Sequence, residues 1–164
     1  MQQDFARGSS GIFRLEIHVS YKVKFCKKVF DFVEIKNRCE TIFREVAKKI
    51  GVTIKEIGFD RDHVHMDIFI LRTHSLDFID KEFKGTSGRK LKDEFPFLKK
   101  RPFFWGKNVG FWGAQDYGDS VGKDPTIIRN YVKNQGVGRP EKRLTDYIIH
   151  TTSLSDIPHK GSGD

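Results

Sequence analysis

The sequence predicts an α+β fold: a β-α-β-β-α-β sheet domain followed by an added C-terminal helix. Three observations carry this prediction. An apolar–polar alternation over 13–23 has the period of a strand, two segments over 34–51 and 75–95 have the period of helices, and a third, strongly punctuated helical segment spans 125–135. The order is that of ferredoxin-like or RNA-recognition-like (RRM-like) sheets.

Residues 1–12 are polar and glycine-rich and are expected to form a flexible lead-in. In the first strand Phe13, Leu15, Ile17, Val19, Tyr21 and Val23 alternate with polar residues, as on a half-buried strand. The first helix places Ile35, Cys39, Ile42, Phe43, Val46 and Ile50 on one face, and Gly51 ends it. "TIKEIGFDRDHVHMDIFIL" over 53–71 reads as a hairpin turning near Asp60–Asp62. Residues 75–95 read as one helix interrupted at Gly85, and Pro96 and Pro102 bracket a loop. The aromatic stretch 102–118 is strand-like but broken by glycines, and Gly118–Gly122 suggest a flexible joint. In the last helix Asp124 suits the N-cap, Pro125 the first turn and Gly136 the residue past the end. One domain over 13–150 and a flexible tail over 151–164 complete the expected organisation.

Thirty Lys+Arg against 22 Asp+Glu give a formal charge of +8, which favours a polyanionic partner, most plausibly nucleic acid. The basic residues cluster at 21–30, 88–102 and 138–143, interleaved with many of the 15 phenylalanines. Aromatic rings beside cations suit stacking on unpaired bases, although most of the rings must fill the core. Cys26 and Cys39 match no metal or redox spacing and read as reduced thiols of a cytosolic protein. No stretch has the length and apolarity of a membrane span, and no signal-peptide pattern opens the chain.

The chemistry-bearing motif is "DHVHMDIFI" over 62–70. In a strand, Val64, Met66, Ile68 and Ile70 form a complete core stripe, so His63 and His65 on the other face are not needed as filling. Side by side, two imidazoles can coordinate one cation; a solvated pair, or one hydrogen-bonded to a neighbouring strand, is the alternative. In the 125–135 helix, Tyr131 and Gln135 lie one turn apart on one stripe. A phenol can attack phosphorus when a divalent ion polarises the phosphate, and Gln135 could be a third ligand. The alternative for Tyr131 is simple packing on the sheet; Tyr117 and Tyr147 are rival phenols without a ligand type one turn away.

These pieces resemble a family. His63-Val64-His65 is similar to the histidine–hydrophobe–histidine (HUH) motif of endonucleases that cut single-stranded DNA, and "YVKNQ" over 131–135 resembles the catalytic helix of single-tyrosine HUH transposases. Those enzymes, the IS200-like family, move small insertion sequences as single strands. "HVSYKVKFCKKVF" (18–30), "FKGTSGRKL" (83–91) and "FWGAQDYGDSVG" (111–122) match further segments of the family, so the resemblance spans roughly 13–136. The tyrosine follows the histidines, unlike the relaxase order. Phe25, where tyrosine is more frequent, and Gly88, where alanine is common, are departures.

The resemblance implies a metal-dependent DNA transposase in which His63, His65 and Gln135 bind Mg²⁺ or Mn²⁺ and Tyr131 forms a 5′-phosphotyrosine. It further implies terminal DNA hairpins as partners, held by Lys22, Lys24, Lys27, Lys28, Arg89 and Lys90, and a homodimer sharing a continued sheet. The place of action would be the cytoplasm of a prokaryote, at the nucleoid. Two alternatives stand beside this: a non-catalytic RRM-like nucleic-acid-binding domain, and a domesticated HUH nuclease acting on repeated host hairpins.

Overall fold

The computed structural model describes the backbone of residues 6–8, 11–13 and 15–120 and positions 138, 141, 143 and 144; side chains are described over 15–114 and at those four positions. Strands β1 (Ala6–Gly8) and β2 (Gly11–Phe13) pair as an antiparallel hairpin, so part of the predicted lead-in carries regular structure. Strand β3 (Leu15–Val23), helix α1 (Val33–Ile50), strands β4 (Thr53–Phe59) and β5 (His63–Ile70), helix α2 (Leu76–Glu94) and strand β6 (Trp112–Ser120) then follow in the predicted order. The four longer strands form one antiparallel sheet in the order β4-β5-β3-β6, with β3 and β5 central.

Parity along β3 and β5 divides the sheet into two faces. Ile17, Val19, Tyr21 and Val23 of β3 and Val64, Met66, Ile68 and Ile70 of β5 are buried under the helices. There they meet Ile35, Cys39, Ile42, Phe43 and Val46 of α1 and Ile79, Phe83 and Leu91 of α2. Each such side chain contributes about 1.5–3 kcal/mol on leaving water, and this sets which face turns inward. Helix α1 ends as expected, with Gly51 left-handed at φ 74°.

Helix α2 runs unbroken through Gly85, contrary to the predicted interruption. A mid-helix glycine costs about 1 kcal/mol. The buried series Ile79, Phe83, Ser87 and Leu91 keeps its four-residue spacing across Gly85, and that burial outweighs the penalty. Ser75 caps the helix by accepting from Phe78 N–H at 3.2 Å.

The aromatic stretch departs from the prediction in its first half. Residues 102–111 are irregular, and β6 begins only at Trp112. Left-handed backbone at Gly106 and Asn108 breaks pairing there, while Phe104 and Phe111 are drawn into the core. Strand β6 then continues through Gly118 to Ser120, so the first part of the predicted joint at 118–122 is paired strand. The predicted helix over 125–135, with its caps Asp124, Pro125 and Gly136, and the tail over 151–164 lie outside the described residues. Among the described residues no helix is long and apolar enough to cross a membrane.

Candidate active site

The polar face of the central strands brings one row of side chains together. Antiparallel register sets Lys22 opposite His63, Ser20 opposite His65, His18 opposite Asp67 and Glu16 opposite Phe69. This face is not simply solvated: Asp67 and Phe69 are buried, the latter under Lys55, whose Nζ lies 4.5 Å from the ring centroid. Exposure on this face of β5 is thus confined to the end at His63 and His65, which are half-buried.

The turn before His63 is fixed from several sides. Asp60 N–H donates to His63 O at 2.9 Å, Arg61 N–H donates to Asp60 Oδ1 at 2.6 Å, and Arg61 forms a two-pronged pair with Asp31 at 2.7 and 2.9 Å. Val23 N–H donates to Asp62 O at 2.8 Å, tying the end of β3 to the same turn.

That turn delivers Asp62 Oδ1 to 2.7 Å from His63 Nδ1. A carboxylate only accepts, so Nδ1 carries a proton, and in the neutral ring the lone pair is on Nε2. His65 Nδ1 lies 3.1 Å from His18 Nε2, with the two rings stacked at 5.3 Å. When His65 Nδ1–H donates to His18, His65 too has its lone pair on Nε2. The His63 and His65 rings stand 4.9 Å apart and nearly perpendicular.

Desolvation, then the neighbouring His63 and His18, push the His65 pKa down to about 4, against an opposing pull from Asp60. The ring is neutral at ordinary pH, which is the form that binds metal. His63 thus has the carboxylate partner typical of metal-binding histidines, whereas the partner of His65 Nδ1 is another imidazole. Imidazole nitrogens suit a borderline divalent cation, and one of the Mg²⁺–Mn²⁺ class would need oxygen ligands in addition to the two histidines. Among the described residues no group of three His, Cys, Asp or Glu side chains could hold a metal ion.

The other predicted site residues divide into three groups. Tyr131 and Gln135 lie outside the described residues. Lys22 and Lys28 are exposed and Lys24 and Lys27 half-buried, all at the end of β3 that is bonded to the histidine turn. Arg89 and Lys90 sit on α2, in the layer covering the opposite sheet face; Lys90 pairs with Glu45 at 3.0 Å, and Arg89 lines a cavity of about 450 Å³ with Lys92, Lys99, Phe111 and Trp112. Of the rival phenols, Tyr117 has its backbone opposite Ser20 in β6, and Tyr147 lies outside the described residues.

The model of the family described as IS200-like transposase matches residues 11–135. The chain belongs to the IS200-like transposase family. It is 30% identical over 118 residues to the transposases for insertion sequence element IS200 of Salmonella typhimurium and of Salmonella typhi, covering 72% of this chain and 74% of each relative. Among solved structures, one described as a transposase from Deinococcus radiodurans R1 has a TM-score of 0.64 at 23% identity, covering 79% of this chain and 97% of that one. The structure of a REP-associated tyrosine transposase bound to a REP hairpin gives a TM-score of 0.51 at 8% identity, over 100% and 91% of the two chains. Both share the α+β fold.

In this transposase the motif segments quoted above meet in space. Buried Ser87 donates to Phe83 O at 2.6 Å and accepts from Trp112 Nε1–H at 2.8 Å, while Lys84 Nζ donates to Gly113 O at 2.7 Å. "FKGTSGRKL" therefore anchors the start of β6. Sequence reasoning missed His18 and the side chain of Asp62 as positioning groups. His18 shares the polar parity of Ser20 and Lys22, but only the non-sequential β3–β5 pairing puts it against His65.

Proposed function

We propose that this transposase cleaves and rejoins single-stranded DNA at hairpin-marked element ends, with His63, His65 and Gln135 holding Mg²⁺ or Mn²⁺ and Tyr131 as the nucleophile. The observation that supports the reading is the pair of histidines on one strand, with His63 Nδ1 2.7 Å from Asp62 Oδ1 and His65 Nδ1 3.1 Å from His18 Nε2. When bound, the cation would act as a Lewis acid on a phosphate oxygen. The Tyr131 oxygen loses its proton and forms a bond to phosphorus as the bond to the 3′ oxygen breaks, and the departing oxygen takes up one proton to become a 3′-OH, so protons balance over the step. The tyrosine remains joined to the 5′ phosphate, and a 3′-OH can reverse the step on a second such linkage. Lys22, Lys24, Lys27 and Lys28 lie near enough to hold backbone phosphates. A homodimer with a continued sheet belongs to the same proposal. The hairpin-bound tyrosine transposase of similar fold supports hairpin DNA as the partner.

The test is incubation with a labelled single-stranded hairpin end and Mg²⁺, then denaturing electrophoresis. A covalent protein–DNA band, lost in Tyr131→Phe and His63→Ala, is expected. A band of normal intensity in either variant would refute the assignment.

A further inference from the structure

The turn after β3 contains a costly feature with no packing explanation. Phe25 has φ 61° and ψ 23°, and Cys26 follows at φ 50°. The left-handed region is unfavourable for side chains other than glycine, asparagine and aspartate. Strain of this kind is ordinarily offset by burial, yet Phe25 is 62% exposed, whereas Phe30, Phe32, Phe43, Phe83, Phe104 and Phe111 are all buried. Nor is the turn loose. Val23 N–H donates to Asp62 O at 2.8 Å and Lys24 N–H to Phe111 O at 2.9 Å, which fixes both the approach to Phe25 and its direction.

We propose that Phe25 is a stacking platform for one unpaired nucleobase beside the histidine site. The platform lies two residues past Val23, within roughly 8 Å of chain from the bond to Asp62, the residue that holds His63. Lys24 Nζ stands 5.5 Å from the ring centroid, and Lys22, Lys27 and Lys28 flank it with charge for the adjoining phosphates. An exposed ring framed by cations suits a flat aromatic partner on an anionic strand. A strained and exposed ring fits a functional role better than a structural one. The inference rests on the single-strand DNA reading given above but concerns binding, not cleavage.

The test compares two labelled probes by fluorescence anisotropy without metal: a thymidine dodecamer and an abasic strand with the same number of phosphates. Wild-type protein should prefer the thymidine strand. Phe25→Ala should weaken thymidine-strand binding by roughly 5- to 150-fold, the range of one lost base stack, and leave abasic binding unchanged. Phe25→Tyr should retain the preference. Phe25→Gly should melt at a higher temperature than wild type, because it relieves the backbone, yet lose the preference equally. A preference that persists in Phe25→Ala, equal losses on both strands, or a lower melting temperature for Phe25→Gly would each overturn the proposal. If wild type binds neither strand, the single-strand reading falls and the platform with it. Loss of the platform alone leaves that reading intact.

Discussion

Replacing Asp62 with alanine removes the hydrogen-bond acceptor of His63 Nδ1 while leaving the proposed ligand itself in place. The bond is short, 2.7 Å from Oδ1 to Nδ1, and in the neutral ring it leaves the lone pair on Nε2, which lies 3.9 Å from Asp60 Oδ2. Loss of such a partner typically weakens metal binding about 10- to 100-fold, or about 1.4–2.7 kcal/mol. The geometry places this case at the lower end. The Asp62 side chain is 20% and His63 26% exposed, so water can take over part of the accepting role. A roughly tenfold loss is therefore expected for Asp62→Ala, and less for Asp62→Asn, whose amide oxygen still accepts. The assay is calorimetric titration of Mn²⁺ into the metal-free protein without DNA, so that cleavage plays no part. His63→Ala serves as the reference for complete loss. An unchanged affinity in Asp62→Ala, with His63→Ala inactive for binding, would refute the outer-shell role; unchanged affinity in both would refute the ligand assignment.

Three further outcomes follow from the same geometry. Ser87→Ala strands the buried Trp112 indole N–H and should cost about 1–3 kcal/mol in urea unfolding, whereas no change would mean that Trp112 finds another acceptor. The folded-state pKa of His65 is lowered from 6.5 to about 4, so the unfolded chain takes up the proton first as pH falls. Stability is thus complete above about 6.5 and declines toward 4; the urea midpoint of metal-free protein should fall across this window, and by less in His65→Gln. At Gly88 an added Cβ would stand 3.2 Å from Phe111 Cβ and 3.3 Å from Trp112 Cδ1. Gly88→Ala gains about 1 kcal/mol of helix propensity but crowds two anchored rings at about 1–3 kcal/mol, so a lower melting temperature is expected, and a higher one would show that segment 109–113 yields.

How far the sequence alone was informative follows from the range of the interactions concerned. The elements of the sheet and both helices were legible because parity in β3 and β5 and the face of α1 are repeated locally, and each buried residue reinforces the same period. Gly85 misled because a local breaker was weighed without the flanking Ile79, Phe83, Ser87 and Leu91, whose burial depends on a sheet formed by distant residues. The same limit governs the site. His63 and His65 were visible as a pair because they are two residues apart on one strand. The contacts that orient their rings are split between a near neighbour, Asp62, and His18, 47 residues from His65, and only the first lies in the quoted motif. One alternative raised for the histidines, a hydrogen bond to a neighbouring strand, is present at His65. If His65 Nδ1–H is the donor in that contact, Nε2 carries the lone pair, and the interstrand bond would then orient the same ring that the proposed site uses.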